Sequence, residues 1–426
     1  MTGKGRPKGI DDAIRQFVRA GFKADFAGRR VKFESNPAWR RLRELGSQLW
    51  LDTGSMEDAG KGWTAEFSAL TTNNTLLNNE VQKGTYDTLI PEAGRLLARA
   101  GLSGRRLLLE IAFILNARHA LGLVEKFDAY VSVEEHTDLA GDVSAAVEYA
   151  RRYHDICAER FIIKIPLTAA GILATRRLSR EGITINHTLG FSARQNYVIA
   201  RIARPAFVNV FLGRLNAFVA DNALGDGTYV GERATLATQR VVRQLREAGR
   251  TASKLIGASF RGGGQVRDLA GIDVMTMPPR VAQQFLDLHV PPEKIVDRTG
   301  EAYRPPLRGG VDPAAVRLDT LWDVGPKLVA CVDALERENL DSFTPDDLVA
   351  FFAGHGCGDA LPRWTAEQIA TSTAEGKIPK LENWREALAS RSIGLDSLMN
   401  LAGLRSFAAD QKAMDDRVQA VLQKVP

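Results

Sequence analysis

Lys164 is the residue in this sequence whose type and position most clearly allow covalent chemistry. It stands inside the apolar run Phe161–Pro166 (FIIKIP), which has the composition of a β-strand, and Thr168 follows closely. Alternate side chains of a strand face opposite sides, so Lys164 shares a face with Ile162 and Pro166 and should point into the interior. Burial lowers the pKa of a lysine and yields a neutral amine that attacks carbonyl carbon, as Schiff-base formation requires. The alternative is a strand-end lysine that buries its stem and keeps its ammonium in water.

Polar side chains also stand at or just beyond the ends of the other predicted strands. In a (β/α)8 barrel the C-terminal ends of the strands build the active site, so these side chains are candidates for catalysis or binding. Each alone could instead cap a strand or carry a surface charge, but their coincidence on so many strands favours a single site. They are Asp52, Asn73, Glu134, Asn186, Thr188, Asn209, Arg214, Ser259 and Arg261. Members two residues apart, such as Ser259 and Arg261, are expected to project the same way from their strand. Asn186 and Thr188 form the other such pair.

The elements that would position these residues are short apolar, β-branched runs that alternate with longer segments of helical period. This pattern is typical of repeated βα units and a parallel sheet. Eight such units favour a closed (β/α)8 TIM barrel. An open doubly wound sheet is the alternative, but no glycine-rich fingerprint follows the first strand to support it. We predict strands near residues 49–52, 67–73, 129–134, 161–166, 183–188, 207–211, 254–260 and 273–277.

Helical segments complete the predicted organisation. The stretch from Ala169 to Glu181 has helical spacing and stops at Gly182, a normal C-terminal glycine. Beyond residue 304 the strand pattern ends, and Thr344-Pro345 has the form of a helix start. Apolar spacing near the C-terminus predicts one long amphipathic helix or two. The predicted segments are a basic N-terminal extension (1–46), the barrel (47–304), a helical appendage (305–394) and a C-terminal helix on the barrel (395–426).

Composition places the chain among globular proteins, with 426 residues that are 45% hydrophobic and 25% charged. We find no uninterrupted apolar run of about 18 residues and no apolar N-terminal stretch of the signal-peptide kind, so we expect a soluble, cytoplasmic protein without a membrane contact. Cys157, Cys331 and Cys357 are widely spaced. They suggest neither a disulfide framework nor a CxxC metal site, and we expect reduced thiols.

Positive charge is concentrated at the N-terminus. The chain has a net charge of +5, and residues 1–50 hold twelve Lys or Arg against five acids, so the remainder carries a net −2. This head includes Arg29-Arg30 and the stretch 40–43 (RRLR). It is either a solvated helical face or a contact for acidic partners. No base-reading motif accompanies it, so a nucleic-acid partner is not favoured.

The sequence resembles the transaldolase family, the class I barrels that form a Schiff base. The matching motifs lie on all eight predicted strands in the family's order and continue into the C-terminal helix. They are LWLDTG (49–54), LTTN (70–73), VSVE (131–134), IKIPLT (163–168), GITINHTLGFS (182–192) with Gln195, FLGR (211–214), GASFR (257–261), LAG (269–271) and GLRSFAADQ (403–411).

The resemblance implies specific catalytic roles. Lys164 would be the Schiff-base nucleophile, and Asp52 would take the proton from the sugar hydroxyl as the carbon–carbon bond breaks. Glu134 and Thr188 would hold the water that moves protons as the imine forms. Loss of water gives a cationic electron sink that stabilises the carbanion left when the aldehyde departs. This chemistry requires neither a metal nor an organic cofactor.

The resemblance also implies a binding set and an activity. Asn73 and Asn186 would bind substrate hydroxyls, and a clamp of Arg214, Ser259 and Arg261 would hold the terminal phosphate. Guanidinium forks match phosphate geometry, which agrees with that role. The activity implied is transfer of a dihydroxyacetone unit from a ketose phosphate to an aldose phosphate, as in the pentose phosphate pathway, by a possible homodimer.

The chain departs from the family pattern at three places. Asn209-Val210 stands where the family usually has serine and proline, and Asn209 could bond a donor hydroxyl with a different geometry. Asn74 replaces a common proline, and Glu135-His136 follows Glu134, where the extra carboxylate is expected at the barrel rim. Alternatives are therefore an aldolase that releases free dihydroxyacetone, a transferase for another sugar, or a sugar-phosphate-binding barrel without catalysis.

Overall fold

Eight parallel strands close into a barrel in the order in which they occur along the chain, and β8 pairs with β1. The computed structural model describes residues 9–23 and 31–424. Residues 1–8 and Arg29-Arg30 of the basic head lie outside the described residues. The strands are β1 Gln48–Asp52, β2 Phe67–Thr71, β3 Tyr130–Glu134, β4 Phe161–Pro166, β5 Ile185–Thr188, β6 Phe207–Phe211, β7 Lys254–Ala258 and β8 Val274–Met277. The predicted (β/α)8 barrel is therefore confirmed, and the open doubly wound sheet is wrong.

Alternation along the strands sets which side chains enter the barrel. Trp50 on β1 and Phe207 on β6 meet edge to face inside it, with ring centroids 4.9 Å apart. Asp52 and Asn209 each follow one of these rings by two residues, so both face inward one layer nearer the C-terminal ends of the strands. The aromatic pair therefore forms the layer of the barrel interior directly below the polar side chains.

Helices surround the barrel and extend the chain beyond it. They are α1 Ile10–Arg19, α2 Pro37–Glu44, α3 Met56–Gly62, α4 Asn74–Gln82, α5 Leu89–Arg99, α6 Gly104–Phe127, α7 Val143–Ile156, α8 Ala169–Arg180, α9 Ala193–Ile202, α10 Leu212–Asp221, α11 Val230–Glu247, α12 Gly263–Asp268, α13 Pro279–Asp287, α14 Pro326–Leu335, α15 Pro345–Gly354, α16 Ala366–Glu375, α17 Arg385–Ala389 and α18 Leu395–Leu422. Short 3-10 turns occupy 137–139, 292–294, 318–321 and 381–383.

The helix α6 has a property that the sequence reasoning missed. It is long and apolar enough to cross a membrane by length and composition, although charged residues interrupt its apolar run. In the structure 72% of its most apolar 18-residue window is buried inside the protein. It packs against α5, β3 and α1, as the core helix of a folded domain does.

The N-terminal helices attach to the barrel by one face each. Ile14 and Val18 of α1 are buried, and Trp39 and Leu42 of α2 pack against the core. The arginines at positions 40 and 43 of α2 are exposed. In this part of the basic head, Arg40 and Arg43 therefore lie on the outward side of α2, whereas Arg41 donates to the carbonyl oxygen of Ile295.

The segment that follows the barrel is helical, and its boundaries carry recognisable caps. Thr344 accepts a hydrogen bond from the backbone N–H of Asp347, and the Asp347 carboxylate accepts one from the Thr344 N–H, which starts α15 where the sequence predicts it. The last helix, α18, is a single helix of 28 residues. It packs on α4, α5, α6 and α16. All three cysteines are free and buried.

Candidate active site

A cavity of about 150 Å³ opens at the C-terminal ends of the strands. This volume is enough for a molecule of about six heavy atoms. The cavity therefore suits the reacting part of a small substrate. The predicted site residues that line it are Asp52, Asn73, Lys164, Asn186, Asn209, Arg214, Ser259 and Arg261. Glu134 lies beside this cavity and faces an adjoining one. Thr188 lines neither.

Lys164 lies inside the barrel on β4 with only 4% of its surface exposed. Its Nζ donates to the carbonyl oxygen of Thr72 at 3.1 Å and lies 3.4 Å from Oε2 of Glu134. Glu134 occupies the position opposite Lys164 in the register of β3 and β4. The alternative of a lysine head in bulk water is wrong for this side chain. The amine stands in a confined, polar environment.

Asp52 faces Lys164 from β1, and two linked threonine hydroxyl groups hold its carboxylate in place. Thr71 donates from Oγ1 to Oδ1 of Asp52 at 2.7 Å, and Oγ1 of Thr276 lies 2.7 Å from that of Thr71. Burial raises the pKa of Asp52, against the opposing attraction of Lys164, the Thr71 hydrogen bond and Arg261. A carboxyl group shifted in this direction can accept and return a proton closer to neutral pH. Thr71 and Thr276 were not predicted, because threonine is also an ordinary strand former.

Glu134 and Glu135 are both buried at the end of β3. Burial raises the pKa of Glu134, and the ammonium of Lys164 partly offsets this. Burial, followed by repulsion from Glu134, holds the pKa of Glu135 well above its ordinary value. Glu135 follows the last residue of β3 at the barrel rim, and its carboxylate is buried there, with 2% of the residue exposed. Its Oε1 has no hydrogen-bond partner among the described residues, and the same holds for Oγ1 of the buried Thr188.

Asn186 and Asn209 are joined in one amide chain across β5 and β6. Asn209 donates from Nδ2 to Oδ1 of Asn186 at 3.2 Å, and Asn186 donates to Oγ of Ser132 at 3.1 Å. Oδ1 of Asn209 accepts from the backbone N–H of Gly190. Asn73 caps α4 with its Oδ1. No described residue accepts a hydrogen bond from Nδ2 of Asn73, so this amide nitrogen can donate to a ligand.

Arg214 lies in the first turn of α10 and is 6% exposed. Its Nη1 has no hydrogen-bond partner in the described part of the chain. Burial, assisted by repulsion from Arg261, lowers the pKa of Arg214 to about 10, so the guanidinium stays charged at neutral pH. Arg261 is exposed at the cavity mouth, and neither arginine pairs with a carboxylate of the described residues. Two neighbouring guanidinium groups that form no ion pair with a described carboxylate are able to bind an anion.

The loop after β7 does not have the extended geometry that the sequence predicted for Ser259 and Arg261. The strand ends at Ala258, and Ser259 has a φ of 67°, in the left-handed region. Ser259 and Arg261 therefore do not project as alternate residues of one extended strand, although both line the cavity. Gly213 explains their closeness to α10: a Cβ there would meet the Ser259 carbonyl oxygen at 2.1 Å and Cγ of Arg261 at 2.7 Å. The glycine lets the two loops approach.

Phe407 of α18 covers the cavity and was not singled out by sequence reasoning. Its ring centroid lies 5.9 Å from Nζ of Lys164 and 5.4 Å from Cζ of Arg214. The helix is held in this place by hydrogen bonds from Thr75 to Asp410 and from Asn400 to the carbonyl oxygen of Leu189. Lys377, from the segment after the barrel, also lines the cavity. Within residues 9–23 and 31–424 no cluster of three His, Cys, Asp or Glu could hold a metal ion.

Known proteins match this chain across most of the barrel. A family model described as transaldolase/fructose-6-phosphate aldolase matches residues 49–350. The chain is 28% identical over 262 residues to transaldolase A of Pasteurella multocida, which covers 60% of this chain and 81% of the relative. It is 31% identical over 247 residues to the transaldolase of Marinobacter nauticus, covering 55% and 74%. It is also 28% identical over 252 residues to the transaldolase of Schizosaccharomyces pombe, covering 58% and 76%.

Proposed function

The chain belongs to the transaldolase/fructose-6-phosphate aldolase family, and from this premise we propose that it transfers a dihydroxyacetone unit between sugar phosphates through a Schiff base on Lys164. One observation carries the proposal: a buried lysine amine shares its cavity with a carboxyl group of raised pKa and two guanidinium groups that lack carboxylate partners. The amine supplies the nucleophile, the carboxyl group the proton acceptor and the guanidinium groups the phosphate contact.

The first step joins the ketose to the enzyme. The lone pair of Lys164 Nζ attacks the ketose carbonyl carbon, and the carbonyl oxygen takes a proton and later leaves as water. Glu134 is the proton donor and acceptor for this step, because its carboxylate lies 3.4 Å from Nζ and its pKa is raised by burial. A water held between Glu134 and the unpartnered hydroxyl of Thr188 would carry these protons.

The second step breaks the carbon–carbon bond. Asp52 removes the proton from the hydroxyl next to that bond, and the bonding electrons move into the protonated imine to give an enamine. The aldose phosphate fragment leaves as an aldehyde. A second aldose phosphate then accepts the three-carbon unit by the reverse sequence, with Asp52 returning its proton, and hydrolysis of the new imine frees Lys164.

Polar contacts orient the sugar for both steps. The free amide of Asn73 and the amide chain of Asn186 and Asn209 can bond hydroxyl groups of the bound unit. Arg214, Ser259 and Arg261, which line the same cavity as Lys164, bind the terminal phosphate. This arrangement favours a phosphorylated sugar of a length that spans from Lys164 to the guanidinium pair.

Reductive trapping tests the proposal. Borohydride added with fructose 6-phosphate should fix substrate mass on Lys164, as located by peptide mass spectrometry. Lys164→Met should give no adduct, whereas Lys254→Met, which changes a lysine outside the cavity, should behave as the unaltered chain. Absence of an adduct, or an adduct on another lysine, would refute the proposal.

Asn209 favours a second candidate within the same chemistry. The family usually has a serine here, and the larger amide is committed to Asn186 and Gly190. Altered contacts to the three-carbon unit would weaken its retention, and the enzyme would then release free dihydroxyacetone as an aldolase. Product analysis with and without an aldose phosphate acceptor distinguishes the two. Without the acceptor, a transaldolase releases one equivalent of aldose phosphate per enzyme and stops, whereas an aldolase continues to turn over and releases free dihydroxyacetone.

A further inference from the structure

One wall of the active-site cavity comes from the segment that follows the barrel. Lys377 lines the same cavity as Lys164, Arg214 and Arg261, although it lies well outside the eight βα units. Its side chain is exposed, and no carboxylate of the described residues forms an ion pair with it. Three other exposed lysines of the chain do have such partners, at Lys61–Glu57, Lys83–Glu80 and Lys412–Asp416. Lys377 therefore presents an uncompensated cation to the cavity.

The nearest acid along the chain is turned away from Lys377. Glu375, two residues earlier, accepts from Nδ2 of Asn383 at 2.6 Å and from Nε1 of Trp384 at 2.8 Å. Gly376, with a φ of 78°, ends α16 and reverses the chain before Lys377. The Glu375 carboxylate therefore bonds residues that follow this loop, and the Lys377 ammonium lies on the cavity side.

The backbone around Lys377 is fastened to the helix that carries Arg214. Asn222, at the end of α10, donates to the carbonyl oxygen of Pro379 at 3.0 Å and accepts from the N–H of Leu381 at 2.7 Å. Arg214 lies in the first turn of the same helix. The loop therefore holds a fixed position relative to Arg214, while the lysine side chain remains free to move.

We propose that Lys377 is a specificity-determining residue that binds the phosphate group of the sugar phosphate, together with Arg214 and Arg261. The identity of this ligand rests on the proposed function. A phosphate monoester carries nearly two negative charges at neutral pH. A third cation at the mouth adds to the attraction that Arg214 and Arg261 provide. The appendage thereby contributes to substrate choice by favouring phosphorylated over unphosphorylated sugars.

Steady-state kinetics of Lys377→Met test the proposal. We expect KM for erythrose 4-phosphate to rise about fivefold, the effect of one exposed charge pair, with kcat unchanged. KM for unphosphorylated glyceraldehyde as acceptor should not change, and Lys377→Arg should restore KM for the phosphate. Lys380→Met is the matched control, because it removes an exposed lysine three residues away that does not line the cavity.

A binding measurement separates this inference from the proposed function. Titration calorimetry with inorganic phosphate needs no turnover, and Lys377→Met should weaken phosphate binding about fivefold relative to Lys380→Met. If Lys377→Met and Lys380→Met bind phosphate equally, the role of Lys377 is refuted even when the Lys164 adduct forms. If the phosphate effect is present but no adduct forms, the proposed transfer reaction fails and the anion contact of Lys377 stands.

Discussion

Glu134 and Lys164 occupy opposite positions in the register of β3 and β4, and Oε2 of the carboxylate lies 3.4 Å from Nζ of the amine. Both side chains are buried, and the ammonium of Lys164 partly offsets the rise that burial causes in the pKa of Glu134. Removing one member of a buried pair leaves the other without compensation. A proton can pass between Glu134 and Lys164 without either side chain moving, and imine formation requires such a transfer.

Glu134→Gln should slow imine formation while leaving the phosphate contacts intact. The amide has nearly the same shape but cannot transfer a proton, and loss of a general acid–base group costs about 10²–10⁴ in rate. Quenching with borohydride at successive times after mixing with fructose 6-phosphate measures the rate of adduct formation. Glu135→Gln is the control, because the Glu135 side chain is buried beside Glu134 and only the backbone N–H of Glu135 bonds Lys164, at its carbonyl oxygen. Adduct formation by Glu134→Gln at the rate of the unaltered chain would contradict the assigned role.

Asp52→Asn should form the imine but fail to break the carbon–carbon bond. Asp52 acts on the sugar hydroxyl and not on the carbonyl, so the trapped adduct should carry the whole hexose phosphate instead of the three-carbon unit. The mass of the borohydride-reduced peptide distinguishes the two directly. Transfer to erythrose 4-phosphate should fall by about 10²–10⁴. A three-carbon adduct formed as fast as in the unaltered chain would show that another group takes the proton.

The sequence was sufficient to predict the barrel because strands buried on both faces are short, nearly continuous apolar runs. It also predicted the residues at the strand ends, since polar groups stand out after such runs. Phe407 lies in the matching motif at 403–411, but strand-end polarity could not assign it to the site, because it is an apolar side chain on the last helix. The sequence could not predict Lys377, which reaches the cavity from the segment after the barrel with no local pattern to indicate it. The left-handed Ser259 and the burial of Glu135 depend on loop packing, which strand periodicity does not encode.

Glu135→Gln should change how stability depends on pH. The pKa of Glu135 in the folded protein lies well above its ordinary value of 4.5. As pH rises past that value, the unfolded chain loses this proton while the folded protein retains it, so the free energy of unfolding falls. The slope is at most about 1.4 kcal/mol per pH unit for one proton. The glutamine variant lacks this proton, so its stability relative to the unaltered chain should increase as pH rises above 4.5.

Denaturant unfolding at several pH values measures this difference between Glu135→Gln and the unaltered chain. Glu293→Gln is the control, because it makes the same substitution at an exposed position. Parallel stability curves for Glu135→Gln and the unaltered chain would mean that Glu135 is not held in its protonated form.

Gly213→Ala should damage the phosphate contact by steric pressure alone. The new methyl group would lie 2.1 Å from the Ser259 carbonyl oxygen and 2.7 Å from Cγ of Arg261, so the loop after β7 must move away from α10. Such overpacking costs about 1–3 kcal/mol of stability. It also separates Arg261 from Arg214, so phosphate affinity should fall while the rate of imine formation with dihydroxyacetone, which has no phosphate, is retained. Gly264→Ala in α12 is the matched control, since a Cβ there meets nothing within 4 Å. If Gly213→Ala binds inorganic phosphate as tightly as Gly264→Ala, the close approach of these two loops does not set the anion site.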